Sequence, residues 1–496
     1  MGDSRFALPC RCPSERVRLR ARGLTALTAI RRSAAQEDRV NTTMTRADFL
    51  RATAAGAFAA SLGNVFVGRE HAHAGPLPRA GYVVPAGTTL VNPVGTAPTF
   101  DQGVAVVLQN DNVTVVNPEL RGWRRCLDVK RNPLTGKVPR NVKILFDPAA
   151  PGYATSGLYR SRTPILVERV DGLDVGGVNG GVWRCRDCFK GAEILGAQNA
   201  DFHDFNFAGD AITWGDRGPG YKWGIKVLPD ITYGPPYINS NISYRRGLVS
   251  MFTDEGLSVD PRGNEPDATP VREADTVKRV NIKRRKVILA SPNWHDVGNR
   301  YAGYWLVFVS GRARGKMVQI TSQSDASLAV ADDGSVLRLV AGADAVLIGM
   351  PTRNLLVEDN VIDGDRGRVC ATAGGFVFDS VYRGNRMDAP NAFRYSSLGS
   401  DFGLRDSSRA FQALRIASLV VGGRGSVTGK IKAIPSLGNR VDGNHAKGGD
   451  ISFHTVQHAP NPTGRRYLNY ASANTFQGDA EQPDARLWND EYNDLR

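Results

Sequence analysis

The sequence predicts an all-β solenoid: a single-stranded right-handed parallel β-helix with a small antiparallel β insert. Three observations predict it. From Gly81 onward the chain is a series of short β-rich runs, such as Val104 to Leu108, Asn141 to Phe146 and Pro164 to Val170, broken by Gly, Asn and Asp and almost without helical periodicity. Glycine is over-used, at 54 of 496 residues where about 7% is ordinary, which suits many tight turns. The chain also repeats itself. Asn241-Ile242-Ser243-Tyr244-Arg245-Arg246-Gly247-Leu248-Val249 aligns with Asn354-Leu355-Leu356-Val357-Glu358-Asp359-Asn360-Val361-Ile362 at a constant offset of 113 residues. An earlier copy begins at Asn199, and later ones run from Ser380 to Met387 and from Gly438 to His445. Each copy is a strand, a polar kink and a second strand. That is the pattern of one coil, whose apolar edge stays open until the next coil stacks on it.

Taken in order, residues 1–74 read as an extension and export signal rather than as part of the fold. Residues 1–43 are Arg-rich and lack apolar periodicity, and Met44 opens a segment of different character and is the expected start. The run Thr45-Arg46-Ala47-Asp48-Phe49-Leu50 resembles a twin-arginine export signal, with Ala47 where the second arginine belongs, and Ala72-His73-Ala74 fits a small-x-small cleavage site. A secreted or periplasmic bacterial protein is therefore expected. Residues 75–264 read as the first set of coils. Residues 265–350 break the pattern with longer alternating strands, Thr276 to Ala290 and Val336 to Ile348 among them, and read as the antiparallel insert, placed to wall one side of a groove. Residues 351–460 resume the coils, and 461–496 read as an irregular tail.

Charge and cysteines narrow the function classes. Residues 1–74 hold 12 Arg, no Lys and 6 acidic residues, so removing that surplus of six lowers the net charge from +14 to +8. A moderately basic surface suits an acidic polymer. No helix-turn-helix, zinc-finger or RNA-binding signature argues for nucleic acid, and no apolar run of 18 residues argues for a membrane span. Cys185-Arg186-Asp187-Cys188 is an isolated pair with no second pair at zinc spacing. With Cys126 and Cys370 it reads as buried thiols or one structural disulfide. No metal site is expected.

Over roughly residues 81–460 this pattern resembles the pectin-lyase-like superfamily of right-handed β-helices. The resemblance implies a linear polysaccharide, neutral or acidic, bound in a groove along the coils. Glycoside hydrolysis needs two carboxyl groups, one as acid and one as base or nucleophile. Asp210, Glu255, Asp254 and Asp260 are the candidates, because Asp210-Ala211-Ile212-Thr213-Trp214-Gly215 and Glu255-Gly256-Leu257-Ser258-Val259-Asp260 take the same place after the kinked pair. Segments beginning at Arg368 and Asp450 take that place too. Gly209-Asp210-Ala211 resembles part of the polygalacturonase Gly-Asp-Asp element. For β-elimination the same carboxylates would bind Ca²⁺ and basic groups would neutralise the sugar acid; otherwise no cofactor is expected. Arg245, Arg246, Arg368, Arg394 and Lys190 are placed on that face to bind substrate. His203 is a candidate base, and Trp214 a candidate stacking platform with Tyr244, Phe393 and Tyr395. The rival reading is a non-catalytic surface-binding β-helix like those of phage tails, which would associate as a homotrimer.

Overall fold

The computed structural model describes residues 71–72, 75–207, 221–228, 237–250, 252–259, 271–290, 301–308, 311–313, 316–332, 334–363, 369–374, 377–388, 412–420, 433–434, 439–447, 450–455, 469–472, 475–477 and 493–495. Strands feed three sheets in rotation. The first sheet takes Arg140–Phe146, Val170–Gly177, Ala197–His203, Asn239–Arg245 and Thr352–Glu358 among its strands, the second takes the short strands that follow each kink, such as Phe205–Phe207 and Leu248–Ser250, and the third takes Lys190–Ile194, Tyr221–Val227, Phe252–Val259 and Val369–Gly374. Successive coils pair in parallel throughout the first two sheets. This is the predicted parallel β-helix.

Alternation along each strand makes the core. In the first sheet Leu173, Ala200, Ile242 and Leu355 stand in one inward column, and Val175, Phe202, Tyr244 and Val357 in the next. The interior is continuous from Val84 to Met387. Each fully buried ring contributes on the order of 1.5–3 kcal/mol. Tyr244 packs its ring 5.6 Å from Phe202 inside the solenoid, so it is a core residue and not part of a sugar platform. Cys126, Cys185 and Cys188 are buried thiols that form no disulfide with one another; burial pushes the Cys126 and Cys185 thiols well up. Thiols in an apolar core are inert.

Asn and Asp kink the chain because they tolerate the left-handed conformation. Asn141, Asn199, Asn241 and Asn354 all have φ near +50° and hydrogen-bond along the column, with Asn354 Nδ2 donating to Asn241 Oδ1 and Asn241 Nδ2 to Asn199 Oδ1, both at 2.9 Å. Inside the solenoid Asn360, Asn385 and Asn444 form a second, buried ladder.

The insert is a closed six-stranded antiparallel barrel between Val271 and Gly349, with its own core of Val277, Leu306, Phe308, Ile320, Leu328 and Ile348. Two of its strands are shorter than predicted. Asn281 Oδ1 accepts the Arg284 amide at 3.0 Å and Arg285 turns left-handed, which splits 276–290 into Val271–Asn281 and Lys286–Leu289. Asp332 accepts the Leu337 amide at 3.0 Å, and a short 3₁₀ turn at Leu337–Leu339 replaces the start of the predicted 336–348 strand. The coil ladder closes across the barrel: Asn239 pairs with Thr352 and Ile242 with Leu355. The offset of 113 residues is therefore one coil plus the barrel. Where an irregular tail is predicted, Asn469–Ser472, Thr475–Gln477 and Asn493–Leu495 add strands to the first two sheets.

Candidate functional site

The sequence candidates separate into three groups. Asp210, Trp214, Asp260, Arg368 and Arg394 lie outside the described residues, as do Phe393 and Tyr395. Asp254 and Glu255 lie on Phe252–Val259 in the third sheet, where the register sets Glu255 beside Trp223 on one side and Val369 on the other. The strand next to Glu255 on that side is thus Tyr221–Val227. Arg245 ends a strand of the first sheet and Arg246 occupies the kink after it, so these arginines and Glu255 belong to different sheets. Lys190 is on the third sheet too, ion-paired with Glu193 and 4.5 Å from the Trp223 ring, and it does not share a face with Arg245.

His203, Arg245 and Arg246 do come together, on the outer side of the first sheet. Asp174, Asp201 and Ser243 form one outward column, and Gly176, His203 and Arg245 the next. His203 Nε2 faces Asp174 Oδ1 at 2.9 Å and Nδ1 faces Asp204 Oδ2 at 2.8 Å. A ring with a carboxylate on each nitrogen donates from both, which is the imidazolium form. Burial works against that charge, but the hydrogen bonds to Asp174 and Asp204 and the field of Asp201 prevail, and the pKa of His203 rises to about 9. For Asp204, burial raises the pKa, but His203 and Arg246 hold the carboxyl down at about 2. Arg246 grips Asp204 through Nε at 2.9 Å and Nη2 at 2.7 Å. Arg245 pairs with both oxygens of Asp201, and Ser243 Oγ donates to Asp201 as well. Gly176 lets the ring approach, since a Cβ there would stand 2.7 Å from His203 Nδ1 and 2.1 Å from His203 O.

Asp174, Asp201 and Asp204 were not among the predicted site residues. Their signal is positional: Asp174 and Asp201 each stand two places after the kink residue, Gly172 or Asn199, so a register anchored on the kinks finds them. Asp174, Asp201 and His203 offer donor atoms all within 4.8 Å of one another, a grouping not expected from the sequence. It fits a cation poorly. The imidazole would first have to lose its proton, Asp201 is held by Arg245, and Ca²⁺ takes about 6–8 oxygens.

Beside this cluster runs a trough. The column Arg140, Asp171, Gln198, Ser240 and Arg353 spans five coils, about 19 Å at ~4.8 Å per step. Two pockets, about 480 and 350 Å³, open along it and share Gln198. The first includes Lys137, Arg140, Asp171 and Tyr237; the second is walled by Trp305 and Gln319 of the barrel. The barrel thus walls the second pocket, on the first sheet. Gln198 is three residues from Asp201 on the same strand, roughly 10 Å away.

No family model matches this chain, and no curated protein matches it. Among solved structures it is similar to the A-module of the mannuronan C-5 epimerase AlgE6 from Azotobacter vinelandii, with 10% identity and a TM-score of 0.32 over 86% of this chain and 89% of that one. It is similar to the polygalacturonase from Erwinia carotovora ssp. carotovora, with 8% identity and a TM-score of 0.33 over 84% and 85% of the two chains. The tailspike protein 3 of bacteriophage CBA120 matches at 10% identity and a TM-score of 0.18, over 91% of this chain and 62% of that one. Three sheets fed in turn by successive coils of the described residues are the architecture of a parallel β-helix, and that is the fold of this chain.

Proposed function

We propose that this chain is an exported polysaccharide hydrolase that holds a glycan along the outer side of the first sheet and cleaves it at Asp174, Asp201 and His203. The observation that carries the reading is a pair of carboxylates one coil apart, with donor oxygens within 4.8 Å, beside an imidazolium. Retaining glycosidases set their two carboxyl groups about 5–5.5 Å apart. Asp201, held in place by Arg245 and Ser243, attacks the anomeric carbon as the bond to the leaving oxygen breaks, and water later releases the sugar from it. The proton for the leaving oxygen comes from the His203 imidazolium and passes through Asp174, to which it is hydrogen-bonded, and the water that then releases the sugar returns a proton by the same route.

The test is to incubate the chain from residue 75 onward with neutral and acidic polysaccharides, with and without chelator, following reducing ends and the ultraviolet absorbance of an unsaturated product. Reducing ends alone, insensitive to chelator, are the expected result; both signals together mean elimination. Asp201→Asn should lower turnover by ~10²–10⁴-fold, and activity should fall as pH rises through about 9, where His203 loses its proton. Turnover lost in Glu255→Gln but kept in Asp201→Asn would move the centre to the third sheet. A second reading, a polysaccharide-binding solenoid without turnover, is favoured by one observation: Asp174, Asp201 and Asp204 each already have a cationic partner. Binding without product across the panel would select it.

A further inference from the structure

We infer that the junction between coils and barrel is a separate binding site for an oxyanion, a carboxylate or sulfate, carried by the bound polymer. This rests on the reading of the trough as a polysaccharide site and adds which sugars it selects.

The pocket of about 350 Å³ lies between Trp305 and Gln319 of the barrel and Ser240, Asn241, Arg353 and Asn354 of two stacked coils. Arg353 lays its guanidinium 5.6 Å from the centre of the Trp305 ring. In that stacked arrangement Arg353 Nε and Trp305 Nε1 are both buried and neither has a hydrogen-bond partner. Two unmade donors at one pocket are an unusual expense for a folded chain. Both groups can only donate, so the missing partner is an acceptor. Because one donor is a guanidinium, the acceptor that suits it best is an anionic oxygen pair.

The nearest internal anion does not fill the role. Asp379 stands 3.7 Å from Arg353 Nη2, longer than a hydrogen bond, and half of its side chain is exposed. Lys316 also acts on that carboxylate, so Asp379 does not serve Arg353 alone. Arg353 is therefore loosely held and can turn from the indole towards an incoming oxyanion. Its departure uncovers the Trp305 ring for the apolar face of a sugar and frees both donors. The amides of Gln319, Asn241 and Asn354 line the same pocket and suit hydroxyl groups. This site uses no residue of the Asp174, Asp201 and His203 cluster.

The test measures binding to the chain from residue 75 onward by calorimetry, using three oligosaccharides of equal length: uronate-bearing, sulfated and neutral. The wild type should bind at least one anionic oligomer about tenfold more tightly than the neutral one, and added salt should shrink that preference. Which anionic oligomer wins identifies the oxyanion. Arg353→Gln should abolish the anionic preference, so that all three oligomers bind alike. Trp305→Phe keeps a ring without the donor and should lose part of the preference; it serves as the second variant if Arg353→Gln does not fold, as judged by circular dichroism. Equal binding of all three oligomers by the wild type, or an anionic preference that survives both variants, overturns the inference while leaving the polysaccharide reading intact. Failure of all three to bind overturns both.

Discussion

His203 shows how a single position can join stability to chemistry. Its folded pKa of about 9 lies above the ordinary value near 6.5, so folding takes up a proton. The stabilisation is full below pH ~6.5 and is lost as pH rises through about 9, a contribution on the order of 3 kcal/mol. Asp204 runs the other way: held down at about 2, its contribution is present above its ordinary carboxylate range and is lost as pH falls through about 2. His203→Gln is expected to lower the unfolding free energy by about 1–3 kcal/mol at pH 6, with the deficit shrinking above pH 9. Urea titrations at the two pH values check this, and a deficit independent of pH would mean that the charge of His203 is not what stabilises. The sequence made His203 visible as a candidate because it stands in a repeat copy. It hid the partners, because Asp174 is distant in sequence and meets the ring only once Gly176 and His203 are set side by side.

Among the elements, the asparagine ladders carry the kinks that the repeat made legible. Asn385 is the middle rung of the buried one: its Nδ2 donates to Val357 O and Asn444 Oδ1, both at 2.8 Å, and its Oδ1 accepts from the amide and side chain of Asn360. Asn385→Leu is expected to strand those groups away from water and to cost about 1–3 kcal/mol or more, read from the denaturant midpoint. Substituting the solvent-exposed Asn199, on the outer ladder, should cost less, because water replaces the lost partner. The strand lengths within the insert were less legible. An alternating run such as 276–290 looks like one strand until Asn281 caps a turn within it, a local hydrogen bond that alternation does not encode.

For the molecule as a whole, the architecture could be read from the sequence because stacking imposes the same demand on every coil. The neighbours of each candidate residue could not, since they depend on which strand follows which: the register sets Trp223 of Tyr221–Val227 beside Glu255. The barrel has its own core and the coil ladder bridges it directly. Replacing residues 261–350 with a short Gly-Ser link should therefore leave a cooperatively unfolding β-rich chain, checked by circular dichroism and thermal melting. Loss of cooperative unfolding would show that the coils need the barrel to stack. Asn239 meets Thr352 as though nothing intervened, so the barrel rides as a passenger at one fixed berth. Another small domain with the same spacing between its ends could occupy that berth, and passengers could be exchanged while the stack beneath stays as it is.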